Sequence, residues 1–120
     1  MKPQELQFEL MKQASFNSFN GPEVVKSLKE NNDLWKACVM YRETLVPTEC
    51  GCSLIALRDL PRAWNVDTLF LTVKTGKERE LVLLAKGWNP DEVTWLSDKE
   101  AGDSLGSWPP KEKVLRVWWD

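Results

Sequence analysis

Apolar positions along this chain change their period several times, and each change marks a predicted element. Between Pro3 and Ala14, Leu6 and Leu10 stand four apart with Phe8 and Met11 three apart beside them, among good helix formers. That spacing predicts an amphipathic helix. Ser15 to Gly21 then gathers turn-forming residues around Phe16 and Phe19. Pro22 suits a first helical position with Glu23 behind it, and a second helix from Pro22 to Asn31 turns Val24, Val25 and Leu28 inward. From Leu34 to Arg42 the alternation of Trp35, Ala37, Val39 and Tyr41 competes with a helical face of Trp35, Cys38 and Val39. The strand is preferred.

Glu43 to Cys52 has no sustained period and contains Pro47 and Gly51, as a loop would. Ser53 to Leu57 is short and apolar enough for a buried strand, and Arg58 to Asn65, with Pro61, reads as a connection. Thr68 to Lys74 is the clearest strand, rich in β-branched and aromatic residues. Thr75-Gly76-Lys77-Glu78 has the spacing of a capping box, so a helix is expected to begin there. Leu81, Leu84, Ala85 and Trp88 form its buried stripe, and Lys86 and Gly87 supply a cation and a left-handed stop. A short strand follows from Glu92 to Leu96, and Ser97 to Pro110 reads as a polar loop. Val114 to Trp119 closes the pattern as a strand, with Leu115, Val117 and Trp119 on one face and Val114, Arg116 and Trp118 on the other.

This order predicts an α+β (mixed α/β) fold: one globular domain over residues 1–120, with about five strands in a mixed sheet, two N-terminal helices and one crossover helix. The segment from Thr68 to Leu96 is long enough for a parallel β-α-β connection. A chain of 120 residues that is 42% hydrophobic can bury a core without metals or disulfides.

Charge and composition narrow the function classes. A net charge of −2 offers no general attraction to nucleic acid or anionic lipid, and neither partner is expected. No run of the sequence is long and apolar enough to cross a bilayer, and the first residues lack the apolar core of a signal peptide. Three cysteines, an odd count, point to free thiols in the cytoplasm. The chain has no histidine, the commonest general base and metal ligand, which weighs against an enzyme.

Seven tryptophans against a single tyrosine are the strongest compositional signal. Trp35, Trp88 and Trp95 lie on predicted apolar faces and are assigned to the core. Trp64 and Trp108 fall in predicted loops, and Trp118 and Trp119 face opposite sides of the last strand, so some of these four are available for contacts.

Other residue groups carry weaker chemical signals. Cys50-Gly51-Cys52, with Cys38 as a third thiol, is a candidate soft-metal or redox site that lacks a fourth ligand of the usual kind. Arg58, Asp59 and Arg62 surround Pro61, and Asp67 follows at a strand start; such a cluster holds an anionic group or simply orders a loop. Asp91 with Glu92, and Lys74, Gly76 and Lys77, are explained more simply as a solvated turn and a helix start.

By elimination, the favoured reading is a small cytosolic, non-catalytic domain that contacts another protein through an aromatic and charged surface. Arg58, Arg62, Trp64, Trp108 and Trp118 are its candidate contacts, and no cofactor is expected. The alternative is a small enzyme or ligand-binding protein with an indole-lined pocket and polar groups from Asp59, Arg62, Asp67 or the Cys50 and Cys52 thiols.

Overall fold

The computed structural model describes residues 1–42 and 54–120. Helix α1 spans Pro3–Met11, ending sooner than its predicted extent to Ala14. Its buried face is also not the one that Leu6 and Leu10 suggested: Phe8 and Met11 enter the core, whereas Leu6 and Leu10 are 53% and 44% exposed. Glutamines determine the difference, because Gln4 and Gln7 lie towards the neighbouring sheet and bond to its backbone.

The predicted turn at 15–21 is a two-stranded hairpin of β1 (Ser15–Phe16) and β2 (Phe19–Asn20). Asn17 sits at φ 47°, a left-handed conformation that asparagine tolerates in a tight hairpin. Helix α2 (Gly21–Glu30) follows at once, its first turn capped by Asn20 Oδ1, which accepts from the Glu23 N–H at 3.2 Å. Gly21 is needed here, since a Cβ would lie 2.0 Å from the Met11 carbonyl oxygen and 2.2 Å from that of Ala14. Val24, Val25 and Leu28 are buried, as their period required.

Strand β3 (Trp35–Tyr41) is a strand as preferred, but not with the expected face: an irregularity between Trp35 and Ala37 turns Cys38 and Met40 inward, and Ala37, Val39 and Tyr41 are exposed. Where the strand at 53–57 was expected, its last three residues begin a short helix, α3 (Ile55–Asp59), and Ser53 lies outside the described residues. Leu54 and Leu57 are exposed rather than buried as a core strand would place them. Predicted residues 43–53, with Cys50 and Cys52, lie outside the described residues.

Strand β4 (Thr68–Val73) and helix α4 (Glu78–Lys86) lie where the period placed them, but the ends of the helix differ. No side chain caps it, because Gly76 at φ 83° makes a turn first, with Lys77 N–H donating to Lys74 O at 3.0 Å. Gly87 stays right-handed at φ −72°, and the left-handed residue is Asn89. Strand β5 (Glu92–Trp95) leads into a helix that replaces the predicted loop: α5, Asp98–Leu105. Its capping box is Ser97 with Glu100, each accepting from the other's backbone N–H at 3.1 and 2.9 Å. Strand β6 (Val114–Trp118) is the last element.

The sheet differs from the five-stranded mixed arrangement: among the described residues it has four strands in the order β3-β4-β6-β5, every neighbouring pair antiparallel, with the hairpin separate. Since β4 and β5 are each antiparallel to β6, they run in the same direction. The β4-α4-β5 unit is therefore a parallel crossover split by the last strand, rather than one between adjacent strands.

Leu69, Leu71, Leu115, Val117 and Trp119 line the inner face and share one core with Phe8 and Met11 of α1, Leu28 of α2 and Leu81 of α4. Buried indoles are tied down by their N–H groups. Trp119 Nε1 donates to Trp88 O at 3.1 Å, Trp88 Nε1 to Ser27 Oγ at 2.9 Å, and Trp35 Nε1 to Leu28 O at 2.9 Å. Trp95, assigned to the core from its pattern, is 36% exposed because β5 lies at the sheet's edge. No helix among the described residues is long and apolar enough to cross a membrane.

Candidate functional site

At one end of the sheet the finish of β3, the start of β4 and the finish of β6 come together, and a groove of about 640 Å³ opens between them. Gln13 to Phe16 form one wall; Arg42 leaves β3 on another; Asp59 and the Arg62 to Asp67 connection form the third; Trp118 to Asp120 complete the lining among the described residues. Antiparallel pairing places the strand ends there, for Tyr41 lies opposite Thr68, and Thr68 opposite Trp118.

The polar residues of the groove form a chain of charge-assisted bonds. Arg42 donates to Asn65 Oδ1 at 2.7 Å, and Asn65 Nδ2 donates to Asp59 Oδ2 at 2.6 Å. Arg58 grips the same carboxylate with two bonds, Nε to Oδ1 at 2.9 Å and NH2 to Oδ2 at 3.0 Å. The Arg58 bonds, then the Asn65 bond, hold the Asp59 carboxyl down at about 2, and the same pairing raises the Arg58 guanidinium above its ordinary value. Asp59 is thus ionised at neutral pH and has no proton to lend as an acid. Asp67 is engaged too: its Oδ1 accepts from Thr68 Oγ1 at 2.8 Å, its N–H donates to Tyr41 O, and its carbonyl accepts from Trp119 N–H.

The guanidiniums stand in contrast to these carboxylates. Among the described residues Arg42 and Arg62 make no close ion pair, and the Arg62 guanidinium makes no hydrogen bond, though its charge also lowers the Asp59 carboxyl from a distance. Beside them lie two half-buried indoles. Trp64 rests on the core together with Phe16, while Trp118 extends from the outer face at the end of β6. The end of β6 is fixed by Asp120, whose N–H donates to Asp91 Oδ2 at 2.7 Å and whose carbonyl oxygen accepts from Asn17 Nδ2.

Of the residues singled out from the sequence, Arg62, Trp64, Trp118, Asp59 and Asp67 meet in this groove. Arg58 stands outside the lining, its side chain 69% exposed, and acts on the groove only through Asp59. Trp108 is elsewhere: it lies against Gly102 of α5, where a Cβ would be 2.6 Å from its Cε3, and is 70% exposed. Cys38 is buried on β3, and burial pushes its thiol up to about 12, so it is neither nucleophile nor ready ligand. Cys50 and Cys52 fall outside the described residues, among which no cluster of three or more His, Cys, Asp or Glu is disposed to hold a metal. Asp91 and Glu92 do not form an acid-base pair, since Asp91 accepts from Asp120 and Glu92 bonds Arg116 at 2.9 Å.

Sequence reasoning missed Arg42, Asn65 and Phe16. Arg42 and Asn65 carry a signal only in retrospect: each borders a strand, at the end of the sheet where the connections gather. No protein-family model matches the chain, and no curated protein or solved structure shows significant similarity to it.

Proposed function

We propose that this protein is a non-catalytic recognition domain that binds a segment of another protein in the strand-end groove. An acidic side chain of the partner pairs with Arg62, and a neighbouring apolar or aromatic side chain lies against Trp64 and Trp118. The observation that carries this reading is the unequal satisfaction of charge. Asp59 is bonded by Arg58 and Asn65, and Asp67 by Thr68, while the Arg62 guanidinium acts on Asp59 only through its field and makes no hydrogen bond or close ion pair among the described residues. A guanidinium beside two half-buried indoles presents charge and flat apolar surface to one visitor, the pairing over-represented at interface hot spots.

Selection of a displayed random-peptide library against the full chain tests it. Enriched peptides should place Asp or Glu beside an aromatic or large aliphatic residue, and should bind Arg62→Ala or Trp64→Ala about tenfold or more weakly. Peptides without that pairing, or peptides that bind Arg62→Glu as well as the parent, would remove the proposal.

The groove's volume of about 640 Å³ also falls within the range of small-ligand sites, which favours an aromatic carboxylate as a second kind of visitor. Thermal-shift screening of aryl carboxylates discriminates the two: a stabilising hit lost in Arg62→Ala supports the small ligand, and uniform silence excludes it.

A further inference from the structure

The two edges of the main sheet are treated differently. On the β3 edge, the groups that point away from β4 are those of Cys38 and Met40, and α1 closes them. Gln4 Oε1 accepts from Cys38 N–H and Gln4 Nε2 donates to Cys38 O, both at 2.9 Å, while Gln7 Oε1 accepts from Met40 N–H at 3.1 Å. An amide side chain there does the work of another strand.

The opposite edge has no such closure. Leu96 N–H donates to Val114 O at 3.0 Å, so the pairs bonded to β6 are those of Glu92, Thr94 and Leu96. Val93 and Trp95 therefore direct their N–H and C=O groups away from the sheet, and no hydrogen bond reaches them from the described residues. Within Glu92–Trp95 there is neither lysine nor proline, and the pairing with β6 runs without a register shift. Shortness and the single charge of Glu92, which bonds Arg116 of β6, are what blunt this edge.

We infer that a second copy of this chain pairs at this edge, β5 against β5 in antiparallel fashion about a twofold axis at Thr94, to give a continuous eight-stranded sheet. Self-complementarity of the register is what selects a second copy. With Thr94 opposite Thr94, Val93 of each copy lies opposite Trp95 of the other, so the unpaired groups on both strands exchange four main-chain hydrogen bonds. The same register sets Val93 against the partly exposed Trp95 on the inner side, a β-branched and aromatic pair, and threonine against threonine on the outer side. Glu92 falls opposite Leu96 and meets no like charge.

The pairing is tested on the full chain by sedimentation equilibrium from micromolar to about millimolar concentration. The expected particle is twice the 13.8 kDa chain mass at the upper end. Thr94→Glu keeps Arg116 as a favourable neighbour across the β6 ladder but places two carboxylates face to face at the axis, and should weaken association by about tenfold or more. Thr94→Cys, in a background of Cys50→Ser and Cys52→Ser, reports the register itself. Directly opposite residues of a non-hydrogen-bonded pair are within disulfide reach, so oxidation should cross-link it, whereas Glu92→Cys should not cross-link. A monomer throughout the range, a dimer indifferent to Thr94→Glu, or a Thr94→Cys variant that stays uncross-linked while dimeric would each overturn the inference.

Discussion

Gln4 holds the backbone of Cys38 from both directions, donating to its carbonyl and accepting from its N–H, each at 2.9 Å. One side chain of α1 thereby fixes the helix along the β3 edge and spares that edge two open groups. Gln4→Met keeps helix propensity and bulk while deleting both bonds, and should cost about 1 to 2 kcal/mol in urea denaturation. Gln4→Glu keeps the acceptor but sets a carboxylate oxygen against the Cys38 carbonyl. Its deficit should shrink as the solution is acidified past about pH 4, where the acid regains a donor. A pH-independent deficit would argue against this geometry.

Asp59 sets an acid-range dependence of stability. Its carboxyl is held at about 2 by Arg58 and then Asn65, below the ordinary value of 3.8. The folded-state value is the depressed one, so the stabilisation is present above about pH 4 and is lost as pH falls from there towards 2. Urea midpoints measured across that window should fall less steeply for Asp59→Asn than for the parent. Equal slopes would show that this carboxylate is not the group responsible.

The indoles divide into shielded and open sets. Trp35, Trp88 and Trp119 are buried and hydrogen-bonded, whereas Trp108 is 70% exposed. Acrylamide quenching should therefore give a downward-curving plot, and Trp108→Phe should remove the largest accessible share. Trp119→Ala, at a fully buried site against Phe19 with ring centroids 4.7 Å apart, should cost about 3 to 5 kcal/mol in chemical denaturation.

Gly21 lies where the hairpin returns to α1, and its N–H donates to Ala14 O at 3.0 Å. Because a Cβ there would collide with two backbone carbonyls rather than a movable side chain, Gly21→Ala should destabilise by about 3 kcal/mol or more. Thermal denaturation reads this directly. A variant that melts within a degree of the parent would mean that α1 and the hairpin are not packed so closely.

Where the hydrophobic period was strong, the elements were legible. Thr68 to Lys74, the Leu81-Ala85-Trp88 stripe and Val114 to Trp119 correspond to β4, α4 and β6 within a residue or two of their ends or flanks. Helix α5 was invisible to periodicity because its sequence, DKEAGDSL, buries only Ala101 and Gly102; the Ser97 and Glu100 spacing was its readable sign. Thr75 and Glu78 have the same spacing, yet Gly76 takes the chain through a turn instead. Strand order could not be read either, since nothing local to β5 says that β6 will come between it and β4.

Of the groove, the charged and aromatic members were visible as residue types, but their meeting was not. Arg62 and Trp118 are far apart in the chain and are brought together by the antiparallel register of Thr68 with Trp118. Trp108 and Trp64 looked alike in sequence as loop indoles; the fold separates them by seating Trp64 on the core and leaving Trp108 exposed against Gly102.

The position of β6 has a consequence for how this sheet comes into being. It is the strand furthest along the chain, and it lies between β4 and β5, supplying both of their ladders. On a ribosome, α4 and β5 are made before β6, the neighbour with which β5 pairs among the described residues, so β5 waits for it. Closure of the sheet is thus a late, long-range event rather than a stepwise addition of hairpins. Assembly should be slow relative to helical folds of this size and close to all-or-none.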